Sequence, residues 1–214
     1  LQAAERLAIF APAGAGKTTL IHLIAGLKKQ DAGHITLNVD SVSTLFQEPR
    51  LFPFLTVEEN ILLPFKAKGL SIGTADRQNM QRWLQVCELQ PFAQYFPHLL
   101  SGGMKQKVSI IRAVLGRPQL ILMDEPFQSI GEIAVQTIIE FILFFFFFFA
   151  LLLVSHNPKE IQQFAQSVME FPQACLTQPN FLSIQDFATQ SVPPAYSVNT
   201  VQSLLVALST NLLH

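Results

Sequence analysis

The chain has 214 residues, room for one large domain or for a domain with a small insertion, and half of it is hydrophobic while only 14% is charged. Lys and Arg number 14 against 15 Asp and Glu, a net charge of −1, so no strong field favours nucleic acid or an anionic membrane surface. Two cysteines, Cys87 and Cys175, carry no metal-ligand spacing and suit a reducing compartment.

In chain order the first predicted element is an apolar strand, Leu7–Phe10, followed by Ala11-Pro12-Ala13-Gly14-Ala15-Gly16-Lys17-Thr18-Thr19 and a helix over Thr18–Leu27. Glycines at 14 and 16 let the backbone curl so that successive N–H groups point inward at an anion, and the helix behind adds its positive N-terminal end. Lys17 then supplies a cation for the β- and γ-phosphates of a nucleotide, and the Thr18 hydroxyl is a Mg²⁺ ligand. The binding set is therefore Ala13, Gly14, Ala15, Gly16, Lys17, Thr18 and Thr19. The usual G-x-x-x-x-G-K-[ST] pattern opens with glycine, and Ala11 holds that place, which requires that position 11 not need φ > 0. No signal peptide is expected ahead of the loop, since Glu5-Arg6 and the strand come almost at once; strands before the loop would be usual in such a domain.

Asp31-Ala32-Gly33 then turns into an expected short strand, His34–Val39, and Leu45-Phe46-Gln47-Glu48-Pro49-Arg50 is a strand end running into a Pro-broken loop. Thr56 with Glu59 forms a capping box that starts a helix. Met80, Trp83, Leu84 and Cys87 give one apolar face to a helix over 75–89, where Trp83 is a core residue. A further helix runs from Ser101 to Leu115, and Leu120-Ile121-Leu122-Met123 is a fully buried strand ending at Asp124-Glu125-Pro126. Alternating strands and helices predict a parallel α/β sheet with its ligand at the carboxyl ends of the strands. There Asp124 holds Mg²⁺ through water, and Glu125, pointing elsewhere, polarises an attacking water as general base. Phe141–Val154, with six consecutive phenylalanines from Phe144 to Phe149, has 14 residues, short of the roughly 20 that span a bilayer, and is expected to be buried.

Leu100-Ser101-Gly102-Gly103-Met104-Lys105-Gln106-Lys107, at its distance from Met123-Asp124-Glu125-Pro126, resembles the LSGGQ-type signature of ABC-transporter ATPase subunits. The resemblance runs from about Glu5 to about Glu160. Gln47 matches the Q-loop glutamine and His156, in Ser155-His156-Asn157, the switch histidine, while Glu48 to Asn60 and Asp124-Glu125-Pro126-Phe127 are similar to the nitrate/sulfonate/taurine importer group.

The resemblance implies a P-loop NTPase core with a helical signature subdomain (about 56–115) and a reduced antiparallel β-subdomain, forming an ATP-binding domain over 1–170 with an extension over 171–214. It implies ATP and Mg²⁺ as cofactors. Glu125, His156 and Gln47 would be catalytic, Thr18, Gln47 and Asp124 would contact the metal, and Ser101, Gly102 and Gly103 would reach the γ-phosphate held by a second subunit. Partners would be a homodimer or heterodimer of ATPase subunits, membrane permease subunits and, indirectly, a substrate-binding protein, on the cytoplasmic side of the membrane as a peripheral subunit; no nucleic acid is expected. The loop from Gln47 to Phe54, with Leu51, Phe52 and Phe54, is apolar enough to receive a coupling helix of the permease. Gly131 stands where the family has an aspartate that organises the dimer, and Asn157 stands where aspartate is commoner. Two other readings stay open: a nucleotide-binding module without turnover, and a soluble ABC ATPase with no transport partner.

Overall fold

The computed structural model describes residues 5–144, 149–171 and 179–191. Among these, strands β1 (Arg6–Phe10), β2 (Val42–Leu45), β3 (Leu120–Asp124), β4 (Ala150–Val154), β5 (Ser167–Glu170) and β6 (Asn180–Ser183) form one sheet in the order β2-β3-β4-β1-β5-β6. Every neighbouring pair is parallel except β5 and β6. Non-consecutive neighbours need crossovers, and these are made by helices, as parallel pairing demands.

The central strands β1, β3 and β4 are apolar along their length apart from Arg6 at the start of β1 and Asp124 at the end of β3, because both faces are covered, and their alternation sorts them into two cores. Ala8, Ile121, Met123, Leu151 and Leu153 face a large core built with helices α2 (Val57–Ala67), α3 (Thr74–Val86), α4 (Gly102–Leu115), α5 (Glu132–Phe144), α6 (Pro158–Phe164) and α7 (Ile184–Ser191). Ile9, Leu120, Leu122, Leu152 and Val154 face a smaller core closed by helix α1 (Lys17–Ile24). In the large core Trp83 of α3 meets Phe141 of α5 edge to face at 4.5 Å, an arrangement that adds to area burial.

The helix starts follow the sequence signals. Thr56 accepts from the Glu59 N–H while the Glu59 carboxylate accepts from the Thr56 N–H, and that backbone bond holds the Glu59 carboxyl below its usual value. Met80, Trp83, Leu84 and Cys87 are all buried, and burial pushes the Cys87 thiol up to about 12, which makes it inert.

Three expectations need correction or limits. Residues 34–39 form no strand but run irregularly, exposed as far as residue 38 with Val39 half-buried against the smaller core, since no strand among the described residues pairs with them; the antiparallel pair is β5 with β6 instead. Helix α1 ends at Ile24 and not Leu27. The apolar stretch 141–154 divides into the end of α5 and the buried strand β4, with 145–148 outside the described residues, and Phe144 on the helix is exposed. Beyond residue 170, β6 joins the same sheet and the α7 residue Phe187 packs edge to face on Phe10 at 5.2 Å. Cys175 and residues 192–214 lie outside the described set.

Arg117, at the end of α4's exit turn with φ 52°, places both Asp76 carboxylate oxygens within 2.6 and 2.8 Å of one guanidinium nitrogen. Burial alone would raise the Asp76 carboxyl, but the Arg117 bonds and the Gly73 N–H outweigh it, and it is held below its ordinary value. Arg117→Ala is expected to destabilise by ~1–2 kcal/mol at pH 7, toward the low end because the guanidinium is more than half exposed. A depressed acid stabilises above its unfolded pKa of about 3.9 and stops doing so as pH falls through the folded value. Urea titrations should therefore show the deficit shrinking below about pH 4; an equal deficit at both pH values would mean that the pair contributes nothing ionic.

Candidate functional site

Val154 at the end of β4 pairs with Ile9 of β1 on one side and Asp124 of β3 on the other. The segments leaving these three strands therefore emerge at one edge: the loop 11–16, Glu125, and Ser155-His156. In the loop Gly14 and Gly16 hold φ 78° and 96°, and Ala15 N–H bonds to Pro12 O at 3.3 Å, which closes the curl. Ala11 is buried and does not take positive φ, so alanine in place of glycine brings no backbone strain there. The N-cap of α1 is Gly16, with no side-chain cap, so the helix start is left for an anion. Lys17 Nζ donates to the carbonyls of Ala11 (2.7 Å) and Pro12 (2.9 Å), which holds the cation across the loop. Thr18 and Thr19 are exposed on the first turn of α1.

Asp124 is buried at the last position of β3. The next residue, Glu125, turns away in a left-handed conformation (φ 47°) that only a few non-glycine residues adopt, and its N–H is fixed to Val154 O at 2.9 Å. Its carboxylate meets His156 Nδ1 at 2.8 Å; the histidine side chain is 62% exposed and the carboxylate 12%. Ser155 lies within 3.5 Å of Glu125 Oε2 and donates to Glu160 Oε2 at 2.7 Å, and Asn157 Nδ2 donates to Glu160 Oε1 at 3.1 Å. Burial pushes the Glu160 carboxyl up against the pull of those two donors.

Gln47, just past β2, donates to Gln128 Oε1 at 2.7 Å, so its amide nitrogen is tied to the loop after Glu125 and its carbonyl oxygen is the atom able to reach a cation. Among the described residues no group of three His, Cys, Asp or Glu side chains is arranged to hold a metal ion, and the expected donors are Thr18, Gln47 and Asp124. That donor set, oxygen-only and incomplete by itself, fits Mg²⁺, which keeps waters and borrows phosphate oxygens.

Among the described residues no hydrogen bond joins Ser101, Gly102 or Gly103 to the loop 11–19. Ser101 caps α4, accepting from Met104 N–H at 3.2 Å. Gly103 has an internal reason as well, because a Cβ there would lie 2.6 Å from Ser129 O, whereas a Cβ on Gly102 would meet nothing within 4 Å. Gly131 likewise has open space around it, enough for a side chain.

Four residues of this region escaped the sequence reading. Asn60 is fully buried and ties residues 52–56, accepting from Phe52 N–H (2.8 Å) and donating to the carbonyls of Phe52, Leu55 and Thr56. Gln106 is buried beneath Pro126. Ser155 and Glu160 complete the group around Glu125, and the run Asn157-Pro158-Lys159-Glu160, an N-cap with Pro and an acid in the first turn, was the signal for them.

The ABC transporter family model matches residues 1–128. The chain belongs to the ABC transporter family. The cassette is 34% identical over 172 residues to the aliphatic sulfonates import ATP-binding protein SsuB 2 of Pseudomonas syringae pv. tomato, covering 79% of this chain and 71% of that protein. It is 38% identical over 136 residues to the spermidine/putrescine import ATP-binding protein PotA of Nitrosomonas eutropha, covering 59% of this chain and 37% of that protein. The chain thus spans well under half the length of the latter relative. Among solved structures, the dimeric bacterial ABC transporter cassette MJ0796 superposes with a TM-score of 0.74 at 24% identity, covering 84% of this chain and 86% of that one. This likeness shows the fold.

The two signature glycines should separate in stability. Gly103→Ala is expected to lower thermal stability by ~1–3 kcal/mol because the Ser129 carbonyl must shift, while Gly102→Ala should leave the melting temperature unchanged. Equal melting temperatures for both variants would remove the Gly103–Ser129 contact from the account.

Proposed function

We propose that the cassette binds and hydrolyses ATP as one of a pair of subunits that drive a membrane importer. One observation carries this reading: the phosphate loop, Asp124, Glu125 and His156 converge at the carboxyl edge of three parallel strands set in register by Val154. The loop amides, Lys17 and Thr18 hold the phosphates. Mg²⁺, when bound, neutralises charge on the phosphate oxygens, and Thr18, Gln47 and Asp124 are the residues to hold it. Glu125 accepts a proton from the attacking water. His156 holds the Glu125 carboxylate at 2.8 Å, and the backbone bond from Glu125 N–H to Val154 O keeps that carboxylate aimed without reorganisation. Ser101 and Gly102, with no hydrogen bond to the chain's own loop among the described residues, would serve the nucleotide of a second subunit, a reading supported by the open surroundings of Gly102, which leave room for a phosphate to approach the backbone.

The importer role draws support from the similarity to sulfonate and polyamine import proteins and from one surface. Phe54 is 70% exposed and Phe52 43%, packed edge to face at 5.9 Å, and Tyr95, Phe96 and Leu99 are exposed in the segment whose Ala93 and Tyr95 carbonyls accept from the first turn of α2. Exposed rings of this kind mark a docking site for an apolar partner segment. No helix among the described residues is long and apolar enough to cross a membrane, so the membrane-spanning part of the assembly would come from the partner.

Glu125→Gln keeps shape but removes the base, so MgATP binding should persist while turnover falls by roughly 10²–10⁴. Phosphate release with isothermal calorimetry checks both. Unchanged slow turnover would favour the binding module without hydrolysis, a reading that Gly131 supports. Cysteines at 52 and 54, oxidised in membranes that contain the permease, should crosslink to it; crosslinks confined to the cassette itself would remove the patch as the docking site.

A further inference from the structure

Gln106 belongs to none of the roles above, yet it lies where three of the functional segments meet. It sits on the second turn of α4 and is buried. Its Nε2 donates to Pro126 O at 2.9 Å and reaches toward Phe46 O at 3.5 Å. Both facing atoms are carbonyl oxygens, so the amide nitrogen must point at them, and Oε1 is left buried with no donor among the described residues. Such an orphan acceptor disfavours folding, and an apolar residue of the same length would avoid it. Packing alone therefore does not account for a glutamine here.

What the side chain joins does. Pro126 follows Glu125 directly, and Phe46 directly precedes Gln47. Phe46 is itself wedged, with the Arg50 guanidinium 3.7 Å over its ring and the α1 residue His22 at 5.7 Å. Three residues before Gln106, and so on the same face of α4, Gly103 is in close approach to Ser129 O. The first two turns of α4 are thus fixed at two points to the segment 126–129. We propose that Gln106 is a positioning residue for hydrolysis: it ties the helix that begins with the signature to the backbone on either side of the reaction, after Glu125 and before Gln47. Displacement of the helix start then re-aims the Glu125 carboxylate. Glu125 has little slack to absorb such a shift, since its left-handed backbone is already pinned to Val154. The long 3.5 Å approach to Phe46 is the contact left to tighten when the subunits close.

This inference rests on the role of Glu125 given above, and the test separates the two. Gln106→Met keeps length and volume and removes the donor. ATP turnover should fall by about 10²-fold, the size of effect expected when a catalytic group is misplaced by an ångström, while KM for ATP stays within about two-fold. Val108→Ala, a buried change on the same helix away from these carbonyls, should lower the melting temperature with kcat within about two-fold of wild type. If Glu125→Gln abolishes turnover but Gln106→Met leaves kcat intact, or lowers it only as Val108→Ala does, the positioning role is overturned and the hydrolytic reading stands. If Glu125→Gln has no effect, both fall. Should Gln106→Met not fold, hydrogen exchange on the wild-type chain decides: a non-hydrolysable ATP analogue with Mg²⁺ should slow residues 103–109 and 127–131 together, and protection confined to 103–109 would overturn the proposal.

Discussion

The alignment of three strand ends at Val154 is the constraint on which the rest depends. Parallel strands have their carboxyl ends on one side, but only the register decides whether those ends are level, and here Ile9, Val154 and Asp124 lie at one height. A slip of one residue in β4 would carry Ser155 and His156 out of reach of Glu125 and would also swap the two faces of the strand. Both faces are buried, by α1 on one side and by six helices on the other, so the slip is opposed by the whole core. The stiff sheet is what lets an exposed histidine and a strained glutamate keep a 2.8 Å contact.

Local chemistry was readable from the sequence wherever one residue type does one physical job. The capping box at Thr56, the apolar face of α3, the buried strand before Asp124 and the glycine curl between β1 and α1 each follow from spacing alone, and the structure has them all. Ala11 is instructive: the sequence poses the question whether position 11 needs positive φ, and the backbone answers that it does not. The misread strand at 34–39 shows the opposite case. Alternating residues such as Ile35 and Leu37 resemble a strand, but a strand exists only against a neighbour, and among the described residues none pairs with this segment. Asn60, Gln106 and Glu160 escaped because their meaning lies in partners 8, 20 and 5 residues away, some across loops whose path no periodicity encodes.

Glycines carry two kinds of message that the sequence cannot separate. Gly14 and Gly16 are required by their own φ. Gly103 is required by a neighbour's carbonyl, while at Gly102 and Gly131 a Cβ would meet nothing within 4 Å among the described residues, so packing inside the chain does not call for glycine at either.

The apolar composition, high for a chain without a membrane-crossing helix among its described residues, has two sources that call for different explanations. The larger is the sheet: β3 and β4 are buried at every position, which demands runs such as Leu120–Met123 and Ala150–Val154 without the polar alternation of a solvated strand. The smaller is the exposed Phe52, Phe54, Tyr95, Phe96 and Leu99, on segments held in place by buried Asn60 and by the backbone bonds from α2 to residues 93 and 95. A loop with no partner would gain nothing from having exposed rings fixed by a buried asparagine, since ordering them loses entropy without burying them. Preorganisation of an exposed apolar surface makes physical sense when a partner later covers it, because the ordering has then already been done and binding need not oppose it. The same segment begins at Gln47, which bonds to Gln128 three residues beyond Glu125, so the loop that carries the rings is tied through two side chains to the edge of the sheet where Glu125 meets His156.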